Sequence, residues 1–155
     1  MPDNGVTMSD SAEAVDIPNE YVAGFMFDPG LTTVMLIEKK RPKWQAGRLN
    51  GVGGHMKVGE TPEQAMRREA IEEAGTDQQW TRYATLGGDG FTVHFHFAVG
   101  PIWEGSTQTD EEIWCPLVSR LPENVMPNLT WLIPMALTVI RKQDRCSVFG
   151  VTERA

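Results

Sequence analysis

Three glutamates, Glu69, Glu72 and Glu73, stand at i, i+3 and i+4 in the run from Thr61 to Gly75. On a helix that spacing puts three carboxylates on one face. The run reads as a helix with both ends marked. Thr61 caps it with Gln64 three residues on, Pro62 suits the first helical position, and Gly75 supplies a left-handed stop. Met66 with Ala70, and Ile71 with Ala74, offer an apolar side. Three like charges repel, so they call for Arg68, a divalent cation or solvent as compensation. Acidic stripes on helices are usually just solvated. Here the Gly53-Gly54 pair lies immediately upstream and Glu60 sits where that loop meets the helix, a place where backbone can approach a ligand closely. Hard oxygen donors gathered in this way suit Mg²⁺ or Mn²⁺, which bind through a few carboxylates and substrate phosphates.

Gly54, five residues, Glu60, seven residues, Arg68-Glu69, an aliphatic position, one residue, Glu72-Glu73, one residue and Gly75 form a pattern that resembles the Nudix box. Every fixed polar and glycine position is filled. Ala70 and Thr76 depart from the aliphatic positions, which concern packing beneath the helix rather than the carboxylates. The resemblance implies an α/β/α sandwich around a mixed sheet, and Mg²⁺-dependent hydrolysis of a nucleoside diphosphate linked to a further group. It implies Glu69, Glu72, Glu73 and a backbone carbonyl near Gly54 as metal ligands. Glu73 is the foremost ligand, Glu72 shares or bridges ions, and Glu69 ligates or orients water. Arg68 holds Glu60 or Glu69 in place. A further carboxylate from an acidic loop is implied as ligand or general base: Glu111, with Glu112 and Asp110 as alternates.

Charge for phosphates is available nearby. Five of the ten residues from Lys39 to Arg48 are basic, in a chain with 14 Lys and Arg. A solvated loop would account for any one of them, but the cluster lies between a strand end and the metal loop. Lys39, Lys40 and Arg41 are therefore phosphate-contact candidates, with no choice among them. Leu49 to Gly54 resembles the Asn-Gly-aromatic-Gly-Gly run of Nudix enzymes that sanitise oxidised purine triphosphates. Met126 to Pro134 resembles a second segment of those enzymes, with Asn128 and Leu129 in place of the acidic pair of the vertebrate members; an Asn there is similar to MutT-like enzymes. Asn50 and Asn128 are thus candidate base readers, although on local grounds Asn50 also suits a turn. The substrate expectation is a purine (d)NTP, 8-oxo-dGTP first, with ADP-ribose or an NADH-type dinucleotide as the alternative. A nucleotide-binding module without activity would be expected to have lost box carboxylates, and none is missing.

The elements that must position these residues follow from patterning. Residues 1–19 read as a mobile tail, 20–143 as one domain, and 144–155 as a second tail without a motif. Tyr21–Phe27 and Thr33–Glu38 read as a hairpin about Asp28-Pro29-Gly30, and Asn50-Gly51 as a change of direction. Trp80–Leu86 reads as a strand and Gly87–Gly90 as a turn. Phe91, Val93, Phe95 and Phe97 alternate with His94 and His96. Two histidines at i and i+2 could bind zinc, but a third ligand is not evident, and a cleft wall or polar face is the favoured reading. Ile113–Val118 reads as a strand. Leu129–Lys142 reads as an apolar helix interrupted by Pro134, with Trp131, Leu132 and Met135 against the sheet. A hydrophobic fraction of 41% with 23% charged residues is ordinary for a soluble domain, and a net charge of −7 argues against a nucleic-acid polymer as partner. With no signal peptide and no apolar stretch long enough to span a bilayer, a cytoplasmic monomer or homodimer with Cys115 and Cys146 reduced is expected.

Overall fold

The computed structural model describes residues 15–142 and 149–152. Among them, nine strands and two helices follow in the order β1 Asp16–Phe27, β2 Val34–Glu38, β3 Leu49–Asn50, β4 Val52–Lys57, α1 Pro62–Ala74, β5 Thr81–Gly88, β6 Phe91–Val99, β7 Gly105–Ser106, β8 Glu112–Trp114, α2 Leu129–Lys142 and β9 Phe149–Thr152. The sheet is mixed and runs β7-β8-β2-β1-β6-β5-β9, with β3 on β2 and β4 on β1.

Strand β1 is the centre. One edge pairs in parallel with β6 from Glu20↔Thr92 to Phe27↔Val99. Its other edge divides between two antiparallel partners, β4 through Val22↔Gly54 and Ala23↔Gly53, and β2 through Met26↔Met35. The β1–β2 turn closes because the Asp28 carboxylate accepts the backbone N–H groups of Thr32 (2.8 Å) and Thr33 (2.7 Å).

Alternation along these strands makes two cores, one per face. Ala23, Phe25, Phe27, Val34 and Leu36 meet α2 through Leu129, Leu132, Ile133 and Ala136. Val22, Met26, Met35, Ile37 and Ala98 meet α1 through Ala65, Met66, Ala70 and Ala74. The small Ala70 is fully buried. Ile71, expected on the apolar side, is instead 44% exposed. On the other face, Trp131 and Met135 pack against the α2-side core beside Leu132, and α2 runs on through Pro134. A register irregularity in β5 between Arg82 and Ala84 gives Tyr83 a bulge position. Its side chain is buried, and its hydroxyl donates to the Leu132 carbonyl at 2.8 Å.

Four expectations shift. Strand β1 begins at Asp16, inside the stretch expected as tail, because Asp16 pairs with Lys57 and the ladder then breaks before Tyr21, with Asn19 at φ 60°. Strand β9 lies inside the expected C-terminal tail, joined in parallel to the edge of β5. Asn50-Gly51 sits between paired strands, because Asn50 is opposite Ile37 and Val52 opposite Gly24. The expected strand Ile113–Val118 stops at Trp114, beyond which only Leu117 bridges, to Thr33. No helix among the described residues is long and apolar enough to cross a membrane. The Cys115 thiol donates to the Trp103 carbonyl (3.1 Å), and Cys146 lies outside the described residues.

Tyr83→Phe removes a buried hydroxyl while keeping the ring. It is expected to destabilise the fold by about 1 kcal/mol, the usual net contribution of one such bond. Urea unfolding with an unchanged m-value checks this.

Candidate active site

Helix α1 forms as its sequence dictates. The Thr61 hydroxyl accepts from Gln64 N (3.2 Å), the Gln64 side chain accepts from Thr61 N (2.9 Å), and Gly75 closes the C-terminus at φ 66°. Packing of α1 over β4 then brings Glu69 against Gly54. A Cβ at Gly54 would lie 2.7 Å from the Glu69 carboxyl carbon, so only glycine leaves room for that carboxylate.

Arg68 ties this region together. Its Nε donates to Glu60 Oε1 (2.5 Å), Nη1 to Glu69 Oε1 (2.8 Å) and Glu72 Oε2 (3.1 Å), and Nη2 to Glu60 Oε2 (3.1 Å) and the His55 carbonyl (3.0 Å). A guanidinium has five N–H donors, so none is left over for a substrate. Glu60 in turn accepts from Lys57 N at 2.9 Å, and these bonds hold its carboxyl below the usual range. The box residues Glu60 and Arg68 therefore lock the helix to the loop.

Glu73 points the other way and accepts from Gly53 N at 3.3 Å. Burial pushes its pKa up to about 7, against the pull of Lys39 and with the repulsion of Glu69 and Glu111 added. Glu69 is also raised, by burial first, with Arg68 opposing. Glu111, 8% exposed, comes in from the loop before β8. Its Oε2 accepts from Lys40 N (3.1 Å) and lies 3.5 Å from Lys39 Nζ. The same loop is pinned to α1 by Gln108 N, which donates to the Glu73 carbonyl at 2.8 Å.

Among the described residues no three His, Cys, Asp or Glu side chains are drawn together as a ready-made ion cage. Glu69 and Glu72 turn to Arg68, Glu73 to Gly53, and Glu111 to Lys39 and Lys40. The donor set nevertheless fits a hard divalent cation: every candidate atom is a carboxylate or backbone carbonyl oxygen, and the missing Cβ of Gly54 lets the Glu69 carboxylate lie against that backbone.

A cleft of about 910 Å³ has Lys39, Arg41, Gly54, Arg68, Glu69, Glu72 and Glu73 on its walls, and Glu111 stands behind Lys39 without lining it. Arg41 is also paired with Asp110 (3.1 Å). Lys40 is exposed and lines neither this cleft nor its neighbour, so of the three expected cations the fold brings only Lys39 and Arg41 to the carboxylates. Glu112 is exposed on β8. An adjoining chamber of about 470 Å³ shares Ala23, Trp44, Gln45, Asn50, Phe91 and Val93 with the cleft and ends at Met126, Pro127 and Asn128. Asn50 Oδ1 accepts from Gly51 N (2.8 Å), while Nδ2 donates to Gln45 Oε1 (3.2 Å). Asn128 Oδ1 is buried with no partner among the described residues.

Sequence reasoning missed Trp44, Gln45 and Phe91 in this wall. An aromatic residue within a basic loop, as Trp44 is, was the available signal. His94 and His96 lie away from the cleft described. His94 Nε2 is 3.0 Å from Glu20 Oε2, and His96 is buried near Glu63, where burial lowers its pKa to about 4 and keeps it neutral.

The NUDIX domain family model matches residues 18–127. A zebrafish (Danio rerio) oxidized purine nucleoside triphosphate hydrolase is 41% identical over 58 residues, covering 32% of this chain and 37% of that protein, so the chain matches little more than a third of that relative's length. A NUDIX hydrolase from Nitrosomonas europaea superposes with a TM-score of 0.70 at 15% identity, over 88% of this chain and 80% of that one. The NUDIX domain of Shewanella oneidensis NrtR, solved with ADP ribose, gives 0.64 at 15%, over 80% and 89%. The chain belongs to the Nudix hydrolase family, whose members act on nucleotide pyrophosphates and generally use divalent cations.

Two outcomes are expected from this geometry. Gly54→Ala should displace the Glu69 carboxylate and reduce turnover at least about tenfold with a folded protein, as circular dichroism beside kinetics would reveal. The second concerns pH. Between the ordinary Glu value and about 7, the folded protein keeps the Glu73 proton while the unfolded chain releases it. Metal-free stability should therefore fall as pH rises through that window and level off above it. A bound cation needs the carboxylate, so apparent metal affinity should rise with pH up to about 7 and then flatten. Thermal melts and calorimetric titrations in buffers of different ionisation heat would detect the change and the released proton.

Proposed function

We propose that this chain hydrolyses purine nucleoside triphosphates to the monophosphate and pyrophosphate with Mg²⁺, Mn²⁺ serving in its place, and that 8-oxo-dGTP is its leading substrate. One observation carries the reading: two adjoining cavities share a wall of aromatic and amide residues, and one of them bears the carboxylates and cations. That polarity matches a nucleotide, whose phosphates are anionic and whose base is flat, apolar on its faces and polar at its edge. The partial likeness to the zebrafish enzyme supports the same substrate class.

Glu69, Glu72 and Glu73 from α1 and Glu111 from the opposing loop are the residues that would hold the cation. When bound, the cation polarises a phosphoryl oxygen and lowers the pKa of a coordinated water. Lys39 and Arg41 face the phosphates and offset their charge. Arg68, with all donors engaged by protein oxygens, keeps Glu69 and Glu72 in place. Glu111, next to Lys39, either ligates or accepts a proton from the attacking water.

A second reading, ADP-ribose hydrolysis, is supported by the volume of the whole cleft, about 910 Å³, and by the Shewanella domain solved with ADP ribose.

Nucleoside monophosphate formation from 8-oxo-dGTP, dGTP, dATP, dCTP and ADP-ribose with and without Mg²⁺, followed chromatographically, separates these readings. Purine triphosphates should lead and activity should vanish without the ion; preferential turnover of ADP-ribose would overturn the triphosphate assignment, and no turnover of any would overturn catalysis. In the same assay Glu73→Gln should lower kcat at least about a hundredfold, the scale of losing a catalytic electrostatic element, without unfolding. Glu111→Gln should reduce kcat more than it weakens substrate binding.

A further inference from the structure

The base end of the cleft is organised by a chain of amides whose orientations are fixed in turn. Asn50 Oδ1 accepts from Gly51 N at 2.8 Å, a donor that cannot be reversed. Asn50 must therefore present Nδ2 on its other side, where it donates to Gln45 Oε1 at 3.2 Å. That bond assigns Gln45 in turn: its oxygen faces Asn50 and its Nε2 is left with two N–H donors that take no acceptor among the described residues. Gln45 lies at the junction, lining both the carboxylate half of the cleft and the apolar chamber. Asn128 lines only that chamber, and its buried Oδ1 has no donor among the described residues. Trp44 and Phe91 supply flat apolar wall beside them.

We propose that Gln45 is the specificity-determining residue of this cleft: its Nε2 donates to an acceptor on the near part of the base, while Asn128 Oδ1 accepts from a donor on the far part. Asn50 is the positioning residue that orients Gln45. The inference rests on the nucleotide reading of the cleft. Because Gln45 lines both cavities and Asn128 only the chamber, a two-ring base pairs with both amides, whereas a single-ring base seated against Asn128 does not reach Gln45. Such a pyrimidine forgoes the Gln45 hydrogen bond, which lowers its affinity roughly two- to tenfold relative to a purine.

Two substitutions separate reading from bracing. Gln45→Glu keeps an oxygen for Asn50 Nδ2 and removes both donors. Gln45→Met removes both functions at similar volume. Steady-state kinetics of the full chain on 8-oxo-dGTP, dGTP, dATP, dCTP and ADP-ribose, with thermal melts, give the readout. Both variants should raise KM for purine triphosphates roughly tenfold. The purine-over-pyrimidine ratio of kcat/KM should fall by a similar factor, with kcat within about twofold and the melt unchanged. A wild type that prefers purine triphosphates, with a ratio unmoved by Gln45→Glu, overturns the role of Gln45 alone. An effect of Gln45→Met without one of Gln45→Glu also overturns it, because Gln45 would then only brace Asn50. A uniform loss on every substrate, as added negative charge would give, does so too. A wild type that prefers ADP-ribose overturns the nucleotide-triphosphate reading and this inference together.

Discussion

One guanidinium holds the catalytic end of this protein together. Arg68 reaches Glu60 in the loop, the His55 carbonyl on β4, and Glu69 and Glu72 on its own helix. Without it, Glu60 and Glu69 would lack a partner where packing excludes most solvent, with the exposed Glu72 beside them. Fork geometry matters as much as charge: Glu60 receives two parallel bonds, which fixes the plane of the guanidinium and so the direction of the bonds to the helix. Lysine could supply the charge but not that direction. The acidic face of α1 is stable because it is compensated from beneath, which leaves Glu73 to turn toward Gly53 and the cleft.

The sheet supplies the frame for that node. Because β4 and β2 share one edge of β1, the chain between them is forced outward there, and the basic loop, the glycine loop and the loop before β8 converge at the gap. Alternation along β1 sends Val22 and Met26 to the α1 side and Ala23, Phe25 and Phe27 to the α2 side. The cleft opens where this frame stops filling: Ala23 is small, and Phe91 and Val93 are half-buried and reach the cleft wall.

A chain of net charge −7 concentrates cations where they are needed by pairing them with its own acids. Lys39 and Arg41 face the cleft but are also held by Glu111 and Asp110. The same pairs join the basic loop to the acidic one, so the base end and the carboxylate end are mechanically connected through residues 39–41 and 110–111.

Local rules decided α1 from sequence alone. A capping box, a proline at the first turn, a terminal glycine and i, i+3, i+4 glutamates each act within a few residues, so the helix and its acidic face were readable directly. Strand β6 was readable for the same reason, since alternation is a local pattern, whereas the sandwich was implied by the resemblance of the box. Tertiary structure decided what depends on distant partners. Strand β9 and the start of β1 exist through pairing with β5 and β4, and carry no strong signal of their own. That Lys39 and Arg41 reach the cleft while Lys40 does not follows from how the strand end is turned by Glu111, 71 residues away from Lys40. Gln45 was invisible as a cleft residue because its orientation is set through Asn50, and its proximity to Asn128 exists only after α2 has packed across the sheet. Sequence determined the chemistry available; long-range packing decided which side chains share one cavity.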